Sequence, residues 1–417
     1  MTLTLAAAVA AAFTVATPLT EQDAVSAALA KSRDLIAARL SVDAAEVDKV
    51  AALVWPNPVA AYSLGNLVLK PGNPQGMGLD PGFFDQPIQS VSLSQVIDVW
   101  FKHAKRWDVA ARGVEVARLQ VEQATREVVH AVRAAFAEVL HAQEELTLER
   151  EIRERYDETR SRMQSQLKAE AISPTDYKKI ELEQLRAQQA ELEAKLQLEL
   201  SRERLAELLV LLPGQLPEQL APYTPEPSDT ELGALTERAL SARPDLNASK
   251  KAIERAQAAL ASQRREAFPD LALGLSYTHD NFTVSGDNAN TVGANLAIAL
   301  PVFDRNQGPI GHARVDLLAA QNDHDRLELA VRHDVADAAR RLERARVQHD
   351  LLEHEVGPRA EATVSAAERL FRAGSTSMLE FLEAQRTWAE VRRDGAQALL
   401  SYRQAAIDVA YAVGVNR

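Results

Sequence analysis

The chain has 417 residues, of which 46% are hydrophobic and 25% charged, and a formal net charge of -12. That is enough apolar material for a large core, so a disordered chain is excluded, and the mixed acidic charge leaves no basic footprint for nucleic acid. With no cysteine, the chain has no disulfide, thiolate metal site, cysteine nucleophile or lipid-modified N-terminal cysteine.

The first residues, MTLTLAAAVAAAFTVATPLTEQD, hold an apolar run from Leu3 to Ala16 and then turn polar. Thr14-Val15-Ala16 is a small-residue cleavage site, so residues 1–16 read as an export signal, with an ordinary apolar N-terminal helix as the alternative. No later stretch reaches about 18 uninterrupted apolar residues, so no transmembrane helix is expected and any membrane crossing falls to strands.

The chain is written twice. ALAKSRDLIAARLSVDAAE from Ala28 returns as ALSARPDLNASKKAIERAQ from Ala239, setting Asp34-Leu35 over Asp245-Leu246. Pro56 of WPNP aligns with Pro269 of FPDL, Leu93 with Leu296, Trp100 with Phe303, Val128 with Val331, and Tyr177 with Phe381. These positions fall in five matching segments, Leu93 and Trp100 sharing one, that keep one order at an offset of roughly 200–215 residues, far longer than a solenoid repeat. We therefore expect a first repeat over 17–212, a proline-rich linker over 213–228 and a second repeat over 229–417, the two repeats forming one architectural unit.

Each half reads as helix, strand, strand and long helical hairpin. In the second half Leu271, Leu273, Leu275 and Tyr277 alternate with Ala272, Gly274, Ser276 and Thr278. Val292, Ala294, Leu296, Ile298 and Leu300 likewise alternate with Gly293, Asn295, Ala297 and Ala299, a period of two in both runs. DNFTVSGDNAN lies between them as a turn-rich loop. The first-half strands are less sharp, around Val59–Leu69 and Pro87–Ile97, and flank a Gly/Pro-rich loop. Four strands cannot close a barrel, and open edges cannot face lipid with their backbone groups unsatisfied. Three copies supply about twelve strands, enough to close around a lumen, with large apolar residues toward lipid and small polar ones toward water. A small antiparallel sheet on a soluble helical protein is the bland reading of the same pattern.

Helices are predicted over about His103–Leu167 and Gly311–Phe371, interrupted by proline only at Pro358. At 1.5 Å per residue each reaches roughly 90–100 Å, which suits a coiled coil or tube rather than an ordinary globular helix. Val121, Val128, Val132, Ala135, Val139, Ala142 and Leu146 keep three-four spacing, as do Val331, Val335, Ala338, Leu342 and Ala345. Phe136, Leu140 and Val347 offer a second stripe for contact on the other side.

These features resemble the TolC-type outer membrane efflux family over nearly the whole chain. The resemblance is carried by FPDLALGLSY at Phe268–Tyr277, ALPVFDRNQGPI at Ala299–Ile310 and RAGSTSMLEFLEAQ at Arg372–Gln385. The Phe303-Asp304-Arg305-Asn306-Gln307-Gly308 string is similar to the heavy-metal branch of CzcC and CusC type. The resemblance implies a mainly α fold with a small β contribution, four strands per protomer in a shared trimeric twelve-stranded barrel continued by an α-helical barrel. It also implies a homotrimer in outer membrane lipid of a Gram-negative bacterium, with a large periplasmic portion. The partners implied are a periplasmic adaptor (membrane fusion) protein and an inner-membrane RND-type pump, with no catalysis and no cofactor in this chain.

The hairpin turns around Ala169–Asp176 and Ala373–Glu380 are the candidate sites. The family resemblance makes them the periplasmic tips that meet the adaptor, through Ala171, Ser173, Asp176, Gly374, Ser375 and Ser377. The local reading of the same residues is capping: glycine for a left-handed turn, and serine with Asp176 or Glu380 three residues on as a capping box. Glu380 and Glu383 lie three apart on one helical face. The resemblance makes them a ring at the periplasmic entrance, about six carboxylates in a trimer, with a solvated acidic face as the alternative. Thr376 stands where the drug-export pattern carries a latching arginine, with Arg372 near. The Asp304–Gly308 motif is assigned to a strand-to-helix turn, with Gly308-Pro309 making the sharp transition. None of the nine histidines shows a metal-ligand pair with a third ligand. The function expected is a passive export duct, for heavy-metal cations first and for drugs or polypeptides as the alternative; a soluble coiled-coil interaction protein is the reading from another class.

Overall fold

A computed structural model describes residues 18–65, 88–168, 170, 172–223, 231–280 and 290–414. The expected export signal, both strand-connecting loops and Ala171 lie outside these residues or largely so. In chain order the first half contains α1 (Glu21–Lys31), α2 (Arg33–Ala51), β1 (Val59–Gly65), β2 (Ile88–Ile97), α3 (Lys102–Lys168) and α4 (Pro174–Leu208). The second contains α5 (Leu232–Ala242), α6 (Pro244–Glu266), β3 (Leu271–His279), β4 (Asn290–Ile298), α7 (Gln307–Leu351), α8 (Gly357–Arg372) and α9 (Met378–Val413). The aligned pair Leu35 and Leu246 sits near the start of the second helix in each half, and both side chains are buried.

The chain divides into two compact units, each drawing on both halves. One, built from 40–118 and 248–325, holds the sheet. Its strands run antiparallel in the order β1-β2-β3-β4, so β1 and β4 are the unpaired edges. Cross-strand register sorts the side chains by size. One face carries the rows Tyr62–Val91–Tyr277–Val292, Ala60–Leu93–Leu275–Ala294, Gln95–Leu273–Leu296 and Ile97–Leu271–Ile298. The other carries Ser63–Ser90–Thr278–Thr291, Ala61–Ser92–Ser276–Gly293, Val59–Ser94–Gly274–Asn295 and Val96–Ala272–Ala297. The large face is bare: Leu275 is 61% exposed, Leu296 64% and Val292 81%. Tyrosine hydroxyls close its upper end, with Tyr62 donating to Gln89 at 3.2 Å and Tyr277 to Asn290 at 2.6 Å.

Below the sheet, two turns lead into helices. At the first, the Asp98 carboxylate accepts from the N–H groups of Trp100 and His103, and Phe101 takes φ 55°. Burial alone would raise Asp98, but the N–H groups of Lys102 and His103 and the His103 ring outweigh it and hold the carboxyl at about 2. At the second, the positive φ falls on Asn306 (60°) and not on Gly308. Gly308 and Pro309 already lie in the first turn of α7, where a missing N–H costs nothing. The expected bend is therefore displaced by two residues. Asp304, Gln307 and Asn306 spend their side chains on this turn: Asp304 accepts from Asn306 N–H, Gln307 from Arg305 N–H, and Asn306 Nδ2 donates to Gln263 O at 2.7 Å.

The other unit, built from 1–39, 119–247 and 326–417, is helical. Among the described residues three large apolar clusters hold it, with a smaller one of Ala137, Leu400 and Ile407. Leu19, Ala24 and Ala28 pack on Val132, Phe136 and Val139 of α3 and on Leu205 and Leu209. Val331, Val335, Ala338, Leu342 and Ala345 of α7 pack on Tyr402, Ala405 and Val409 of α9. Leu148, Ile152 and Met163 join Ile180, Val364, Leu382 and Trp388. The expected seam is thus the core, with alanines allowing close helix approach. Leu216 and Leu220, inside the expected linker, are also core, and Arg202 holds their turn by donating to Leu216 O and Glu218 O.

The second long helix is not uniform. A π turn over Leu352–Val356 separates α7 from α8. Pro358 has no N–H to give, and its ring would crowd the carbonyl four residues back, so the backbone widens by one residue there. The expected second stripe does not form as such: Phe136 and Leu140 are buried in the same core as the seam, while Val347 is 55% exposed, and α4 bares Leu182, Leu185, Leu192, Leu196 and Leu200.

Candidate functional site

Both hairpin turns lie in the helical unit. At the second, α8 ends in a Schellman motif: Ser375 N–H donates to Leu370 O at 2.9 Å, Gly374 N–H to Phe371 O at 3.0 Å, and Gly374 takes φ 72°. Three residues later Ser377 caps α9 in a reciprocal box, its hydroxyl accepting from Glu380 N–H at 3.3 Å while Glu380 accepts from Ser377 N–H at 3.1 Å. The first turn is built differently. Ser173 accepts from Asp176 N–H at 3.0 Å, its hydroxyl donates to the Asp176 carboxylate, and Lys179 binds the other oxygen at 3.0 Å. Glu170 takes φ 53°, and Pro174 opens α4.

An apolar plug sits under the exposed turns. Phe371 and Phe381 stack at 5.0 Å with ring planes 4° apart. Ile172, Tyr177 and Met378 pack beside them on the buried cluster of Ile180, Val364 and Leu382. The tips therefore present polar caps on a fixed apolar base. Ser173, Asp176, Gly374, Ser375 and Ser377 are all placed on these caps, while Ala171 lies outside the described residues.

Glu380 and Glu383 differ in state. The Glu380 carboxylate folds back onto its own helix, accepting from Thr376 and Ser377, and those bonds lower its pKa. Glu383, one turn on, is exposed, and Arg386 beside it binds Glu183 instead. Asp176 is likewise lowered, by its bonds to Lys179 and Ser173. Arg372 is engaged by Glu368, which also binds Arg162 at 3.0 Å. Among the described residues no group of His, Asp and Glu is arranged to hold a metal ion.

What the sequence did not reveal is how the two hairpins are tied. Arg155 meets Glu361 and Arg162 meets Glu368, a heptad apart on both helices. Arg393 grips Glu149 through two bonds of 2.6 and 2.9 Å, and Arg403 grips Glu144 at 2.9 and 3.0 Å. Arg386 reaches Glu183, whose side chain is 8% exposed. Trp388 lies buried with Arg155 3.9 Å over its ring and Nε1–H donating to Glu361. Two-point pairs of this kind, with Glu149 buried in one and Arg403 in the other, hold helices in one register.

Set beside known proteins, residues 24–210 and 235–415 each match the model of the outer membrane efflux protein family. The chain is 28% identical over 383 residues to the cobalt-zinc-cadmium resistance protein CzcC of Cupriavidus metallidurans, covering 90% of this chain and 85% of that protein. Its fold is similar to the crystal structure of CusC, with a TM-score of 0.79 at 18% identity over 95% of this chain and 92% of that one. It is also similar to the Campylobacter jejuni CmeC outer membrane channel, with a TM-score of 0.76 at 16% identity over 94% and 85% of the two chains.

Proposed function

The chain belongs to the outer membrane efflux protein family, and from that premise we propose that it is one protomer of a homotrimeric duct. The duct lies in the outer membrane and passively carries divalent heavy-metal cations to the exterior from an inner-membrane RND-type pump and a periplasmic adaptor. The observation that carries this reading is the two-faced sheet with both edges unpaired. A bare apolar face beside a row of hydroxyls, ending at open edges, is stable in lipid only when the edges are closed by further strands. Three copies close about twelve. The bared leucines of α4 are then neighbour contacts in the helical tube.

The energy comes from the pump, and this chain contributes a path, not chemistry. Transport of cobalt, zinc or cadmium is supported by the likeness to CzcC and by the exposed Glu383. Ser375 and its neighbours at the tips are the adaptor contacts, their backbone fixed by the caps described above. A strain deleted for the chain tests the substrate. It is expected to lose growth in cobalt, zinc or cadmium at concentrations the parent tolerates, and to recover when the chain is returned. Unchanged metal tolerance with new sensitivity to organic toxicants would replace metals with drugs as the cargo.

A further inference from the structure

The small face of the sheet has two properties beyond being polar. Across the described strands its rows hold Ser, Thr, Asn, Gly, Ala, Val and Ile, with no Asp, Glu, Lys or Arg. It is also flattened. A Cβ at Gly274 would lie 2.2 Å from Asn295 Oδ1, and one at Gly293 would lie 2.9 Å from Ser276 Oγ. The Asn295 and Ser276 side chains therefore lie across the strand into the spaces their glycine partners leave, instead of standing off the sheet. Both glycines sit at ordinary strand positions with negative φ, so close cross-strand approach is what requires them.

Resting on the reading of the sheet as one third of a closed barrel, we infer that this wall is an uncharged, low-relief surface that passes hydrated solutes without regard to the sign of their charge. Serine and threonine hydroxyls both donate and accept, so they exchange hydrogen bonds with the water shell of a cation or an anion alike. A wall meant to select by charge carries rings of carboxylate or guanidinium, and a trimer would multiply each such residue threefold. Among the described strand residues none is placed on this face, so preference for cations belongs to other parts of the duct.

The chain has no cysteine, which makes single thiols informative. Ser63→Cys, Ser92→Cys, Ser94→Cys, Leu93→Cys and Leu275→Cys would be made in the full chain in outer membranes. Each would be treated with cationic and anionic methanethiosulfonates of similar size, with rates normalised to a free thiol. At the three serine positions both reagents are expected to react, with a cation-to-anion ratio constant along the wall within about threefold. Adding Ser94→Asp to Ser92→Cys should raise that ratio by about tenfold, which shows that the assay senses charge. A ratio that climbs by an order of magnitude from Ser63 to Ser94 in the otherwise native wall would overturn the inference. Equal labelling of Leu93→Cys, Leu275→Cys and Ser92→Cys would instead overturn the barrel reading beneath it.

Discussion

Arg243 shows how a single residue finishes a long helix in this protein. Its guanidinium binds Asp245 at 2.6 Å and Asp334 at 3.2 Å and points another N–H at the Ala412 carbonyl, while Arg126 donates to the Tyr411 carbonyl beside it. Both arginines are buried, and both meet the negative end of α9. Replacing Arg243 with methionine leaves Asp245 with only Arg126 at 4.0 Å as a cation and returns the 56% exposed Asp334 to water, so the loss falls below the roughly 3–5 kcal/mol of a fully buried broken pair. The thermal midpoint of the solubilised protein is expected to fall by several degrees and to recover in part when Asp245→Asn is added; an unchanged midpoint would refute the clamp.

Asp98 makes a pH-dependent contribution of known sign. Its carboxyl is held at about 2 in the folded chain against an ordinary 3.8, so the stabilisation is complete above about pH 4 and is lost as pH falls through 2. Asp98→Asn should remove that part of the acid dependence of stability. The check is a pair of unfolding titrations between pH 5 and 2, which should converge toward the acid end. At the tip, Gly374→Ala puts a Cβ on a left-handed residue at a cost of roughly 1–2 kcal/mol. The variant should lower stability modestly, whereas Ser375→Arg should impair export without lowering it.

At the scale of elements, legibility followed locality. The β3 and β4 alternation was readable because a period of two is decided within one strand, and the large residues from Leu271 to Tyr277 and from Val292 to Ile298 share one face, while Leu300 lies beyond the end of β4. Both N-cap serines were readable for the same reason, since a cap spans four residues. The reciprocal box forms at Ser377 alone of the two, because the Asp176 carboxylate takes the Ser173 hydroxyl and Lys179 instead of the Ser173 N–H. Pro358 announced a disturbance in the second long helix, but a π turn rather than a kink depends on how the neighbouring helices hold both ends. The ties between hairpins were invisible because helices this rich in Arg and Glu offer many possible pairs. Only the register between distant segments selects Arg155 with Glu361 and Arg162 with Glu368. Both pairs lie 206 residues apart, within the offset of the repeat, so equivalent helices of the two halves meet side by side. In the sheet, Gly274→Ala should displace the Asn295 side chain and destabilise, and Asn295→Ser should relieve most of that loss in the double variant. Purely additive effects in that cycle would mean that the close approach is unimportant.

At the scale of the whole molecule, the single chain leaves two things unsatisfied: the edges of β1 and β4, and bare apolar residues on β1–β4, α4 and α2. Exposed apolar surface of this extent marks a membrane or protein contact, and the duplicated plan provides matching edges for identical neighbours in a ring. None of the described helices is long and apolar enough to cross a membrane. Closure of the sheet by identical copies is therefore the central claim. The most direct measurement is cross-linking of the native protein in fractionated membranes, with its size compared in the presence and absence of detergent. The account predicts a trimer in the outer membrane fraction that requires detergent to stay in solution; a monomer or dimer soluble without detergent would contradict it.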